Sequence, residues 1–315
     1  MISLNDVKQH VSNELRKVVI GQEGLIEQAL ATILCGGHAL IEGVPGVAKT
    51  LTVKSLAQVL NVGFRRVQCS SDLMPADIVG TNVFDAKLGD FRMHKGPLFT
   101  ELLLVDEINR MPPRTQAAML EAMEEHQATI DGVSYPLPRF FTVFATQNPV
   151  EFEGTYPLPE AQLDRFLLKI TVTYPEFDAE VAILNQHGCP PGEPRVEGLG
   201  LVPVAPEALE AARAAVVEVK VEAALTDYVA RLARKTREWS AIRLGASPRA
   251  ALAMLRVAKA FAFLDGRDYL IPDDVKSAAK CTLRHRILLN PESELEGITP
   301  DAALEQVIRA VEVPK

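Results

Sequence analysis

This sequence predicts an α/β domain followed by an all-helical one, and three observations carry the prediction. A strand-like run from His38 to Glu42 leads into the glycine-rich stretch GVPGVAKT, Gly43 to Thr50. LTVKSLAQVL follows, with apolar residues at Leu51, Leu56, Val59 and Leu60, a helical spacing. Phe64 to Gln68, Leu102 to Asp106, Phe140 to Thr146 and Leu167 to Val172 then read as further strands separated by helical patterns. Continuous apolar text such as LLLV suits a parallel sheet covered on both faces. Finally, HGCPPGEPRVEGLGLVPVAP, residues 187 to 206, is too rich in Pro and Gly for the interior of an element, and helical patterns follow it.

Taken in order, Ser3 and Asp6 form an S-x-x-D capping signature before a first helix, and a second amphipathic helix is expected over about Gln22 to Cys35. The α/β domain is assigned to residues 1 to 187, a linker to 188 to 206, and the helical domain to 207 to 315. Five helices are expected near or within the last: Pro206 to Val217, Ala223 to Arg237, Pro248 to Leu264, Pro272 to Arg286 and Pro300 to Val311. Proline is at home in a first helical turn, and Ser247 is a good N-cap for the helix from Pro248. Tyr228, Trp239 and Phe261 are expected in the core of this domain.

Composition narrows the function. The chain has 315 residues, 48% apolar and 23% charged, and 33 Lys plus Arg against 41 Asp plus Glu give a net charge of -8. That is a globular composition, and the acidic balance argues against nucleic acid as an obligate partner. Cys35, Cys69, Cys189 and Cys281 have no zinc-site or C-x-x-C spacing and read as reduced thiols of a cytosolic protein. Asp6 and Glu14 fall where a signal peptide needs an apolar run. The six histidines do not approach one another at ligand spacing, so no protein-ligated metal is assigned to them.

GVPGVAKT matches G-x-x-x-x-G-K-[ST] except that Ala48 replaces the second glycine. A phosphate loop turns backbone N–H groups inward at a helix N-terminus, where the dipole favours an anion. Gly43 and Gly46 stand where the backbone needs φ > 0 or must approach phosphate closely. Ala48 is expected to be entering helical φ/ψ already, where alanine is acceptable and a better helix former than glycine. Lys49 would reach the β- and γ-phosphates, and the Thr50 hydroxyl would ligate Mg²⁺. In LLLVDEINR an apolar strand ends in two acids, which puts Asp106 near the metal and Glu107 beside it to activate water. The strand FTVFATQNP delivers Asn148 to the same edge of the sheet, to orient water or simply to cap the turn before Pro149.

With these stretches, PEAQLDRF and LGASPRA, the sequence resembles the MoxR group of AAA+ ATPases from about Val7 to Arg286. The resemblance implies an AAA+ P-loop domain with a helical lid, ATP and Mg²⁺ as cofactors, and a nucleotide loop running from Gly43 through Val44, Pro45, Gly46, Val47, Ala48, Lys49 and Thr50 to Leu51. It further implies Lys49 and Thr50 as Walker A residues, Asp106 and Glu107 as Walker B, Asn148 as sensor 1, Arg165 as arginine finger and Arg249 as sensor 2. VVIGQE resembles the segment lining the adenine pocket, which adds Val19, Ile20 and Gly21. A finger acting in trans implies a ring, a hexamer, with Arg165 reaching the next subunit's nucleotide; whether Arg249 works in its own subunit or the next stays open. Locally, Asp164 offers Arg165 an ion pair, and Arg249 in a first helical turn calls for a negative partner.

Two insertions complete the resemblance. Ser70 to Phe99 resembles the helix-2 insertion, and Ala128 to Leu137, with Asp131-Gly132 at its turn, the hairpin before sensor 1. DNA-tracking relatives need basic hairpins to contact phosphates. Here residues 127 to 139 set Asp131 against Arg139, and residues 70 to 99 set Asp72, Asp77, Asp85 and Asp90 against Lys87, Arg92 and Lys95. A protein client is therefore expected, with a von Willebrand factor type A domain protein as a partner implied by the resemblance. A DNA-dependent motor and a nucleotide-gated scaffold without turnover are the alternatives. Glu124 and Glu125 read as the solvated end of a helix.

Overall fold

A computed structural model describes residues 7–87, 89–149, 154–187 and 200–314. The capping signature at Ser3 and Asp6, Cys189 and most of the expected linker lie outside the described residues. The chain opens with α1 (Val7–Arg16) and α2 (Glu23–Leu34), then β1 (Ala39–Gly43), α3 (Lys49–Val59) and β2 (Phe64–Gln68). A short α4 (Pro75–Val79) leads into the antiparallel hairpin β3 (Gly80–Asp85) and β4 (Asp90–Lys95). β5 (Leu102–Asp106) and α5 (Pro113–Glu125) precede a second hairpin, β6 (Gln127–Ile130) and β7 (Val133–Pro136). Asp131 and Gly132 at its turn have φ of 48° and 80°, the pair of positive values that a tight hairpin demands.

β8 (Thr142–Gln147), α6 (Glu160–Leu163), β9 (Leu168–Val172) and α7 (Phe177–His187) complete the α/β part. Its sheet has five parallel strands in the order β2-β5-β8-β1-β9. The continuous apolar strand of the sequence is explained by position: β5 lies between β2 and β8, and Leu102, Leu103, Leu104 and Val105 are wholly buried. Each such side chain contributes about 1.5–3 kcal/mol when buried. Leu104→Ala would cost about 2–5 kcal/mol, because the cavity adds to the lost transfer energy.

The second part contains α8 (Pro206–Glu218), α9 (Ala223–Arg237), β10 (Ile242–Leu244), α10 (Pro248–Leu264), α11 (Pro272–Leu283), β11 (Leu288–Leu289), α12 (Pro291–Leu295) and α13 (Pro300–Ala310). The Ser247 hydroxyl caps α10 by accepting from the Ala250 N–H at 3.1 Å. Tyr228 and Phe261 are buried as expected, whereas Trp239 packs on the edge of the core with Lys235 over its ring. The two-stranded ribbon β10-β11 and the short α12 are additions to the expected helices. α10 packs on α2 and α11 on β9, so the helical part lies against the side of the sheet that ends in β9.

Candidate functional site

Polar side chains gather at both ends of the parallel strands. At the C-terminal end, β1 stops at Gly43, whose backbone pairs with Val172; a Cβ there would stand 2.6 Å from the Val172 carbonyl oxygen. Gly46 needs its glycine for another reason: φ is +85°, with open space around it. Ala48 differs from expectation. It does not enter the helix but sits before it at φ 59°, ψ 21°, in the left-handed region, and the first helical residue is Lys49. A side chain in that region costs about 1–2 kcal/mol. The strain is held by α3, since the Thr52 N–H and hydroxyl both donate to the Ala48 carbonyl, at 2.9 and 2.8 Å.

Lys49 Nζ donates to the Gly43 carbonyl at 2.6 Å, across the mouth of the loop. Val47 is buried, Val44, Thr50 and Leu51 are half-buried, and Pro45 and Gly46 are exposed. The N–H groups of the first turn of α3 point toward its N-terminal end, beside this loop, and favour an anion there. Beside it, Val19 is buried, Ile20 is half-buried and Gly21 lies against Pro175 and Ala179. Gln22 Nε2 fixes this segment by donating to the Thr173 carbonyl at 3.1 Å. Val19, Ile20 and Gly21 thus stand next to the strand ends that carry the loop.

Asp106 ends β5 and Glu107 follows it at the same end of the sheet. The Asp106 side chain is only 9% exposed, and its charge is offset on both oxygens: Oδ1 accepts from Thr146 Oγ1 at 3.2 Å and Oδ2 from Arg66 Nε at 2.6 Å. The Glu107 backbone is left-handed at φ 58°, ψ 56°, held by its N–H donating to Thr146 Oγ1 at 2.9 Å. Strain of this kind persists where surrounding structure over-determines it, and it concentrates at functional sites. The Glu107 carboxylate accepts from Gln68 Nε2 at 3.3 Å and Arg110 Nη1 at 3.1 Å. Asn148 is buried just past the end of β8. Cys69 is buried beside these acids, and burial first, then the two carboxylates, pushes its thiol up to about 12.

Thr50 and Asp106 offer a hydroxyl and a carboxylate, hard oxygen donors of the kind Mg²⁺ takes. The loop fits a phosphate, because Gly46 at its exposed crest takes φ +85° with nothing within 4 Å of where a Cβ would stand, so backbone N–H groups can approach an anion there. Among the described residues no three His, Cys, Asp or Glu side chains gather as a metal site, so a metal here would rest on few protein ligands and on phosphate.

At the opposite end lie Arg165 and Arg249. Glu124 is exposed at the end of α5, as expected, but it is also paired: its Oε2 is 3.2 Å from Arg165 Nη2 and its Oε1 3.3 Å from Arg249 Nη1. Arg165 therefore pairs with Glu124 rather than with adjacent Asp164, which binds Arg286 Nε at 2.6 Å and stands 3.8 Å from Arg249. Arg286, almost wholly buried, also donates to the carbonyls of Phe166 and Leu167 and so braces the turn that carries Arg165. Arg165, Arg249 and Glu124 border a cavity of about 310 Å³ together with Gly37 and His38, which precede β1. Strands of five residues at about 3.3 Å each put this cluster roughly 15 Å from the loop of the same chain.

Arg66, Gln68, Thr146 and Arg110 were not singled out in the sequence. Arg66 and Gln68 alternate onto one face of β2, and Thr146 and Asn148 bracket the end of β8 with the same two-residue spacing.

A family model described as "ATPase family associated with various cellular activities (AAA)" matches residues 38–168, and an "AAA lid domain" model matches residues 234–307. "Chaperone MoxR1" of Mycobacterium tuberculosis is 40% identical over 312 residues, 96% of this chain and 81% of that protein. The chain belongs to the MoxR family of AAA+ ATPases. "Protein MoxR" of Paracoccus denitrificans is 30% identical, covering 95% of this chain and 94% of its own. Among solved structures, a crystal structure from Cytophaga hutchinsonii superimposes with a TM-score of 0.88 at 41% identity, covering 99% of this chain and 96% of that one. This MoxR-family chain thus joins an AAA ATPase core to an AAA lid.

Proposed function

We propose that this MoxR-family protein hydrolyses Mg-ATP as a subunit of a homo-oligomeric ring, a hexamer, and uses the turnover to remodel or activate protein partners in the cytoplasm. The observation that carries the reading is the separation of its parts: Lys49, Thr50, Asp106, Glu107 and Asn148 at one end of the sheet, Arg165 and Arg249 at the other. One chain presents a phosphate loop on one side and two arginines on the other, and copies arranged head to tail bring them together. Arg249 sits on the side of Arg165, which supports action on the neighbour's nucleotide for both.

In this mechanism the α3 N-terminus and Lys49 bind the β- and γ-phosphates, Lys49 giving up its bond to the Gly43 carbonyl. Val19, Ile20 and Gly21 flank the base. Thr50 and Asp106 would hold Mg²⁺, which when bound would supply positive charge to the phosphate oxygens. Asn148 orients a water molecule, and Glu107 takes its proton as the water oxygen bonds to the γ-phosphorus. The bond to the β,γ-bridging oxygen breaks, leaving ADP and inorganic phosphate, while Arg165 and Arg249 of the neighbour offset the developing charge.

Two hairpins support a polypeptide client. Val83, Phe84 and Phe91 are exposed on β3 and β4, the two phenylalanines stacked edge to face at 5.3 Å, a surface suited to apolar side chains rather than phosphates. The second hairpin is followed by Arg139, already paired with Glu210 at 2.5 Å, and Asn82 ties it to the first by donating to Asp131 at 2.8 Å. A relative bears the name chaperone, and a von Willebrand factor type A domain protein is the partner class suggested by family resemblance. Among the described residues no helix is long and apolar enough to cross a membrane. Steady-state phosphate release, with and without DNA, tests the reading: Mg²⁺-dependent turnover indifferent to DNA is expected, and absent turnover or steep DNA stimulation would overturn it.

A further inference from the structure

Asp106 is buried, and each of its carboxylate oxygens already accepts from a protein donor. Its Oδ1 is occupied by the Thr146 hydroxyl and its Oδ2 by Arg66 Nε at 2.6 Å. A carboxylate 9% exposed needs a counter-charge, and Arg66 supplies it. Yet Arg66 is poorly placed for a permanent structural pair. It lies on β2, an outer strand of the sheet, with its side chain 51% exposed and room to swing into solvent. Its partner is the very carboxylate that the proposed mechanism gives to Mg²⁺, and two cations on one carboxylate repel each other.

We infer that Arg66 is an exchangeable counter-ion of the metal-binding carboxylate, competing with the divalent cation for Asp106 and released when metal and nucleotide load. This rests on the reading of Asp106 as a metal ligand given above. The competition extends to the catalytic acid. Arg66 Nη2 donates to Gln68 Oε1 at 2.9 Å, and Gln68 Nε2 donates to Glu107 at 3.3 Å, so one guanidinium spans the two acids through a single amide. Departure of Arg66 removes the donor that orients Gln68 and loosens its hold on Glu107. Arg66 thereby acts as a positioning residue that links metal loading to the loss of one of the two donors on Glu107, Arg110 Nη1 keeping the other at 3.1 Å.

Binding of Mn²⁺ to the full-length protein–ADP complex, followed by the electron paramagnetic resonance of free Mn²⁺, tests this without turnover. Arg66→Met should tighten Mn²⁺ binding about fivefold, the size expected for an ion pair with a half-exposed arginine. Arg66→Lys, which keeps a charge but loses the planar fork, should fall between Arg66→Met and wild type. ADP affinity in EDTA, where no metal competes, should be the same in all three. Unchanged or weaker Mn²⁺ binding in Arg66→Met with intact ADP binding would overturn the inference. Should Arg66→Met fail to fold, wild-type Mn²⁺ affinity in Arg66→Lys would overturn it instead. Asp106→Asn separates the two levels: if it leaves Mn²⁺ affinity unchanged, the reading of Asp106 as a ligand fails, and the inference with it.

Discussion

Arg165 and Arg249 are joined through a single carboxylate, with one Glu124 oxygen 3.2 Å from the first and the other 3.3 Å from the second. One arginine belongs to the α/β part and the other to the first turn of α10, so Glu124 yokes the two parts at the point where both face outward. Residues that share a partner do not act independently. Arg165→Ala should lower kcat by about 10³ to 10⁵ if it serves as a finger. The Arg165→Ala, Arg249→Ala double variant should lose less than the two single losses combined. Steady-state kinetics of the four proteins checks this, and full additivity would show the arginines to be uncoupled.

Action in trans has its own signature. Arg165→Ala subunits carry an intact loop, and Lys49→Ala subunits carry an intact finger. Neither should turn over alone, and a mixture should recover measurable phosphate release. A mixture as inactive as its components would count against placement of the finger in a neighbour's site.

Glu107→Gln should keep ATP binding and lose turnover, because the amide preserves the shape of the side chain but cannot take a proton from water. Nucleotide affinity and single-turnover hydrolysis measured on the same preparation separate the two effects. Held in ATP, this variant should also retain its protein partner in a pull-down.

Ala48→Gly should stabilise the protein. Relief of a left-handed alanine is worth about 1–2 kcal/mol, and the greater freedom of glycine in the unfolded chain returns part of it. A rise in Tm of about 2 °C is expected in calorimetry. A lower Tm would mean that the loop depends on the alanine side chain in some other way.

Stability should fall in mild acid. His38 is wholly buried, with Nε2 donating to the Met123 carbonyl and Nδ1 accepting from the Val143 N–H, and burial lowers its pKa from 6.5 to about 4. His285 is lowered as well, by burial and then by Arg286. Between these values the unfolded chain binds protons that the folded chain refuses. Stability from His38 is therefore complete above about pH 6.5 and declines as the pH falls to about 4, by about 1.4 kcal/mol per pH unit, and His285 adds a loss in the same direction. Urea unfolding at pH 7, 6 and 5 measures the slope, which should be shallower in a His285→Gln variant.

Sequence and structure agree most where the signal is local. Phe64–Gln68 and Leu102–Asp106 form strands with the expected ends, and α9 and α10 run between the expected residues, because periodicity and first-turn prolines are written into adjacent positions. Ala48 was legible as an exception but not in its conformation: residue type alone suggested entry into a helix, whereas the carbonyl bonded by Thr52 holds it left-handed. The partners of the acids were illegible for another reason. Arg66 and Thr146 come from β2 and β8, on either side of β5, and only the strand order brings them to Asp106. Glu124 likewise reads as a helix end until Arg165 and Arg249 arrive from later in the chain. The ribbon of β10 and β11 is too short for any periodicity to announce it.

The roughly 15 Å between the phosphate loop and its own arginines also bears on how the protein responds to its abundance. In the proposed ring, an active site divided between copies would make specific activity a function of concentration: diluted chains would fall silent while remaining folded, and crowded ones would switch on together. Expression level would then act as a regulator with no effector molecule, and a cell holding few copies would hold almost no activity.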